Sequence, residues 1–196
     1  MRTRTTHFLA LVLAGALAGG CASTPARFYT LAATARPEGT PSARYAVVVG
    51  PVSLPAEVDR LEFVVQVAPN RVALDEFNRW AAPLDDAIAR AIAGNLAALL
   101  GTPHVGTAAI ASVTPVFRVT VDVQRFESIP GEAVLIEAVW AVRKTSGGEP
   151  RSGRTIARET VQGKNFDALA AAHSRALATI SSDIAAAVRA AAGTMR

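Results

Sequence analysis

The fold class this sequence predicts is α+β: a two-layer domain with a mostly antiparallel sheet and two amphipathic helices packed on one face of it. Three observations carry that reading. Two stretches repeat apolar residues every three or four positions, Leu84, Ile88, Ile92, Leu96 and Leu99 in one, and Phe166, Leu169, His173, Leu177, Ile180, Ile184 and Val188 in the other. Such spacing puts the apolar side chains on one face of a helix. Elsewhere Phe117, Val119, Val121 and Val123 alternate with Arg118, Thr120, Asp122 and Gln124, the pattern of a strand with one wet face. Finally, Ala68-Pro69-Asn70 separates two β-rich runs, as a hairpin turn would.

Taken in chain order, RFYTL at 27–31 has strand character and suits a sheet edge, inside a segment (22–44) otherwise rich in Ala, Thr, Pro, Ser and Gly. That composition buries little apolar surface, so 21–44 reads as a flexible tether. YAVVVGPV (45–52) is a buried-strand candidate rich in β-branched residues, and 53–61 is a loop turning at Pro55. EFVVQV (62–67) and RVALDE (71–76) form the hairpin. Trp80 and Phe77 precede the first helix and are expected to clamp its start against the sheet. Pro83 suits that helix's first turn, Asp85 and Asp86 lie at the positive end of its dipole, and Gly101 and Pro103 stop it. Phe126 falls out of phase with the 117–123 alternation, so a bulge or strand end is expected nearby. AVLIEAVWAVRK (133–144) is a long strand apolar on both faces, SGGEPRSG (146–153) a turn, and RTIARETVQ (154–162) a polar strand for the sheet edge. The second helix ends the chain near Gly193.

The chain has 196 residues and one cysteine, Cys21. One cysteine can make neither an internal disulfide nor a four-ligand metal site. Upstream lie Arg2, Arg4 and the apolar run FLALVLAGALA (8–18), followed by Gly19 and Gly20. A basic start, a short apolar core and small residues describe a secretory signal peptide, and the run is too short for a transmembrane helix. The organisation is therefore a leader over 1–20, Cys21 with its tether over 21–44, and one domain over 45–196. The formal charge is only +4, with Arg2 and Arg4 in the leader and the remaining basic residues scattered. No basic run points to nucleic acid.

The search for chemistry excludes more than it finds. G-x-S-x-G, H-E-x-x-H, Walker and G-x-G-x-x-G patterns are absent from the sequence. His104 follows a proline in a loop. His173 lies on the apolar stripe of the second helix, where a packing role competes with a general-base role and no nucleophile or orienting acid can be assigned to it. Asp59-Arg60 is either a local ion pair or a partner contact. Asp85-Asp86 reads as helix-start electrostatics rather than a metal site. No catalytic residue, metal or cofactor site is expected; Trp80 and His173 are expected to be structural.

LAGGC at 17–21 resembles the lipobox of bacterial lipoproteins, with Ala18 where leucine is usual. The resemblance implies that Cys21 receives a diacylglycerol, that cleavage precedes it, and that the new amine is acylated. Two or more acyl chains anchor a protein stably where one does not. An ordinary signal peptide cut elsewhere, with a chance cysteine, is the alternative. Ala22 and Ser23, not Asp, follow the cysteine, which in lipoproteins of this type implies the outer membrane, facing the periplasm.

VVVGPVSLPAEVDRLEFVVQ, FNRWAAPLDDAIARAIAGNLAALL and FDALAAAHSRALATISSDIAAAV resemble the PqiC family, also described as ABC-type transport auxiliary lipoproteins. The resemblance covers nearly all of the chain after Cys21; Leu61-Glu62 stands where the family often carries Pro after Asp-Arg. It implies an outer-membrane-anchored auxiliary or docking subunit that works with an MCE-domain protein and inner-membrane transport components in moving lipid across the envelope. A homo-oligomeric ring matching the MCE ring axis is one arrangement it would allow. Three rival readings are a self-contained lipid carrier, which needs an apolar cavity, a lipidated envelope hydrolase, and a lipoprotein assisting another envelope machine.

Overall fold

The computed structural model of the chain describes residues 24–37, 43–109 and 113–193. The leader and Cys21 lie outside the described residues. Eight strands and two helices follow in the order β1 (Arg27–Tyr29), β2 (Ala46–Ser53), β3 (Glu62–Ala68), β4 (Arg71–Trp80), α1 (Leu84–Leu100), β5 (Val105–Gly106), β6 (Pro115–Ile129), β7 (Ala133–Lys144), β8 (Arg151–Thr160) and α2 (Phe166–Gly193). The fold is α+β, as the helical and strand periodicities predict.

The strands divide between two sheets rather than forming one. A three-stranded sheet has the order β1-β4-β3, and a five-stranded sheet the order β5-β2-β6-β7-β8. β6, β7 and β8 are antiparallel neighbours joined by short turns. β2 instead runs parallel to β5 and β6, because the chain crosses over through the hairpin and α1 before returning. Hydrophobic alternation fixes which face a strand buries but not which strand lies beside it, so this pairing was not readable from the pattern.

Both helices cover one face of the five-stranded sheet, α1 over β2 and β5, α2 over β7 and β8, and they pack on each other. The residues facing them alternate strictly. Phe117, Val119, Val121 and Val123 of β6 and Val134, Ile136, Ala138, Trp140 and Val142 of β7 are all buried. Burying such side chains is worth roughly 1.5–3 kcal/mol each and supplies the main driving force of the fold. On the opposite face β7 is less apolar than its composition suggests. Glu137 there accepts from Arg154 at 2.5 Å, and Val139 stays 40% exposed.

The expected irregularity near Phe126 is a bulge at Gln124, where the β6–β7 register passes from Val123↔Ala138 to Arg125↔Glu137. The extra residue shifts the alternation, so Phe126 and Ser128 join the buried side. The strand continues to Ile129 instead of ending. Trp80 is buried and stacks on Phe63 with ring centroids 4.1 Å apart. Phe77 does not share that role: it is 44% exposed, in a stretch where Asp75 Oδ1 accepts the Phe77 and Asn78 backbone N–H groups and bends β4.

Candidate functional site

β1 begins at Arg27, with only residues 22–26 between it and Cys21. It lies parallel to the end of β4, Tyr29 level with Trp80. Tyr29 is buried edge-on to Phe63 with ring centroids 5.5 Å apart, and its hydroxyl donates to Asn78 Oδ1 at 2.7 Å. The tether expected over 21–44 therefore ends early. Residues 30–36 cross the seam between α1 and α2, fastened by side chains of both helices.

Asn95 of α1 is fully buried, and its Oδ1 accepts the Thr34 and Ala35 backbone N–H groups at 2.8 and 2.9 Å. Its amide nitrogen donates to Ser181 Oγ on α2 at 3.3 Å. Ser174 Oγ accepts the Ala32 N–H at 3.1 Å and itself donates to the Ala170 carbonyl. Gly94 lets the strap come close: a Cβ on it would stand 2.7 Å from the Ala33 Cβ. The strap belongs to neither sheet, so these side chains take the place of ladder partners for its part-buried N–H groups; such a group costs up to about 1–3 kcal/mol where its loss of partner also shuts out water. Asn95, Ser174 and Ser181 were missed as a set by the sequence reading. Their signal was polar residues interrupting apolar helix faces.

Beside the strap, a groove of about 750 Å³ runs along α2, lined among others by Phe28, Thr30, Arg36, Asp167 and Arg175. A second concavity, about 230 Å³, lies between the β3–β4 hairpin and β6, with Val58, Val64 and Val72 in its wall and Arg125 and Glu127 at its rim.

His173 lies at the back of the domain core. Its Nε2 is 2.8 Å from Ser128 Oγ, its ring lies parallel to Phe126 with centroids 4.0 Å apart, and Trp80 meets it edge-on. A serine beside an imidazole invites comparison with a nucleophile and its base. The surroundings oppose that chemistry. Ser128 is 2% and His173 0% exposed, and Nδ1 has no hydrogen-bond partner, so nothing holds or stabilises an imidazolium. Burial pushes the His173 pKa down to about 3, far below the range useful to a general base at neutral pH.

Asp59 and Arg60 are both exposed and do not pair with each other. Their backbone N–H groups close the 55–60 turn onto the Pro55 and Val58 carbonyls, and buried Val58 pins that turn to the core. His104 takes part through its backbone: its carbonyl accepts the Val47 N–H at 2.9 Å and its N–H donates to Thr102 Oγ1 at 3.2 Å. The structure thus brings Trp80 and His173 together in one aromatic cluster and leaves Asp59 and Arg60 apart from it. Among the described residues no group of three or more His, Cys, Asp or Glu side chains could hold a metal ion, and no helix is long and apolar enough to cross a membrane.

A family model described as "ABC-type transport auxiliary lipoprotein component" matches residues 29–185. Among solved structures, protein XCC0632 from Xanthomonas campestris, of the DUF330 family, superposes with a TM-score of 0.72 at 18% identity, over 87% of this chain and 100% of that one. An uncharacterized protein superposes with a TM-score of 0.69 at 20% identity, over 84% of this chain and 99% of that one. Comparison with curated proteins gives no match.

Proposed function

Because the chain belongs to the family of ABC-type transport auxiliary lipoproteins, we propose that it is the outer-membrane-anchored docking subunit, itself non-catalytic, of an MCE-type lipid transport system spanning the periplasm. The observation that carries this reading is the extent of the family match. It starts within β1 and runs through the strap, both sheets, α1 and most of α2, so the whole folded domain is the family's domain. Cys21 is its lipid attachment site, and the covalent lipid its only prosthetic group. Ala22 and Ser23 after the cysteine favour the outer membrane. The seclusion of the Ser128–His173 pair supports a docking rather than a hydrolytic role.

The exposed Asp59–Arg60 turn, held rigid by Val58, is the proposed contact with the MCE protein. Several copies arranged in a ring would engage several MCE subunits at once, and such multivalency raises avidity by roughly 10²–10⁴. The test is purification of the tagged MCE protein from solubilised membranes. The lipoprotein is expected to co-purify, and Asp59→Ala with Arg60→Ala to reduce its recovery at least several-fold without lowering its abundance. Recovery unchanged by the double substitution removes the contact. A complex whose mass allows one copy per MCE ring removes the ring, and absence of the lipoprotein removes the docking role.

A further inference from the structure

We propose that the exposed apolar side of the three-stranded sheet lies against the membrane that holds the Cys21 lipid. This rests on the lipid anchor of the preceding section and adds to it the orientation of the domain. Of the eight large apolar side chains left exposed among the described residues, six belong to this sheet or adjoin it. Three of them share one side. The strand register sets Phe28 level with Arg79, Arg79 level with Glu62, Leu74 level with Val64, and Val72 level with Gln66. Glu62, Val64 and Gln66 alternate along β3 and so project to one side. Phe28 and Leu74 therefore project there too, exposed by 64% and 50%; Val72 shares the side, 54% exposed, where it turns into the concavity facing β6 that Val64 helps to floor.

The chain upstream says what covers this side. From Cys21 to Arg27 there are only six Cα steps, which span at most about 21 Å when fully extended. A domain of this size is about 40 Å across. The leash therefore holds β1 in the half of the domain nearer the membrane, and the exposed apolar groups single out the side that turns towards it. That side meets the headgroup region, where an amphipathic surface buries its apolar groups to a depth of about 5–10 Å. Arg79, paired with Glu62 at 2.7 Å, stands between Phe28 and the Leu74–Val72 stretch. Its stem can lie along the apolar groups while the guanidinium stays among the phosphates.

The single cysteine makes the test direct. Once Cys21 carries lipid, Phe28→Cys, Leu74→Cys and Ile156→Cys each leave one free thiol for a polarity-sensitive fluorophore. The purified, lipidated full-length variants are placed in phosphatidylethanolamine–phosphatidylglycerol vesicles carrying a nitroxide lipid, with Val72→Cys as a second position on the same side. Ile156 lies on the five-stranded sheet and is 55% exposed, so it serves as the reference. Labels at 28 and 74 are expected to be quenched several-fold more than the label at 156. Equal quenching at all three positions in protein that floats with the vesicles overturns the orientation and leaves the anchor intact. A label at 28 that is shielded only as protein concentration rises, without lipid quenching, assigns the side to a second copy and also overturns it. Lipid-modified protein that fails to float removes the anchor, and this inference with it.

Discussion

His173 loses its hydration without gaining a charged partner, and this sets how the domain responds to acid. Its pKa is about 3 in the fold against an ordinary value of 6.5. Between those values the unfolded chain binds a proton that the folded chain does not, so stability rises with pH across that window. The contribution is complete above about pH 6.5 and declines as pH falls towards 3, by roughly 1.4 kcal/mol per unit. Denaturant titrations between pH 7 and 4 are expected to show that slope in the parent protein and a clearly shallower one in His173→Phe, which keeps the stacking on Phe126. Parallel slopes would mean His173 is not buried neutral. That His173 faces the interior was legible from its place on an apolar helical stripe. Its partner Ser128 was not, because the bulge at Gln124 decides which way that end of β6 faces.

At the scale of elements, residues 30–36 form a strap whose stability is stored in the helices beneath it. Asn95→Ala leaves the part-buried Thr34 and Ala35 N–H groups without their acceptor, and is expected to destabilise the domain by about 1–3 kcal/mol. Hydrogen exchange should quicken over 30–36 more than in α1. Gly94→Ala separates the strap from the helix: alanine favours helix by roughly 0.5–1 kcal/mol, while its Cβ collides with Ala33. The expected result is lost protection in the strap with a smaller loss of global stability than in Asn95→Ala, because the helix gain offsets part of the cost. Retained protection at 30–36 in both variants would contradict the account. Aromatic RFY announced β1, whereas the strap that follows it has no periodicity, so its composition read as tether. The helices and hairpin were legible because each is a local pattern. The division into two sheets was not, because it depends on which distant strand β2 joins.

At the scale of the whole molecule, the proposed anchor at Cys21 would leave a short leash to a domain whose two sheets differ in what they expose. One sheet is covered on one face by α1 and α2 and carries ion pairs such as Arg154–Glu137 and Arg158–Glu132. The other leaves Phe28 and Leu74 exposed, Phe28 lying in the strand that follows residues 22–26. The central claim is that Cys21 fixes this domain to the outer membrane, where a transport assembly can end. Density-gradient separation of inner and outer membranes, comparing the parent with Cys21→Ser, tests it most directly. The account predicts the parent in the outer-membrane fraction, resistant to high salt, and Cys21→Ser in the soluble periplasmic fraction with thermal stability unchanged. Cys21→Ser that remains tightly in the outer-membrane fraction at high salt and without the MCE protein would contradict it.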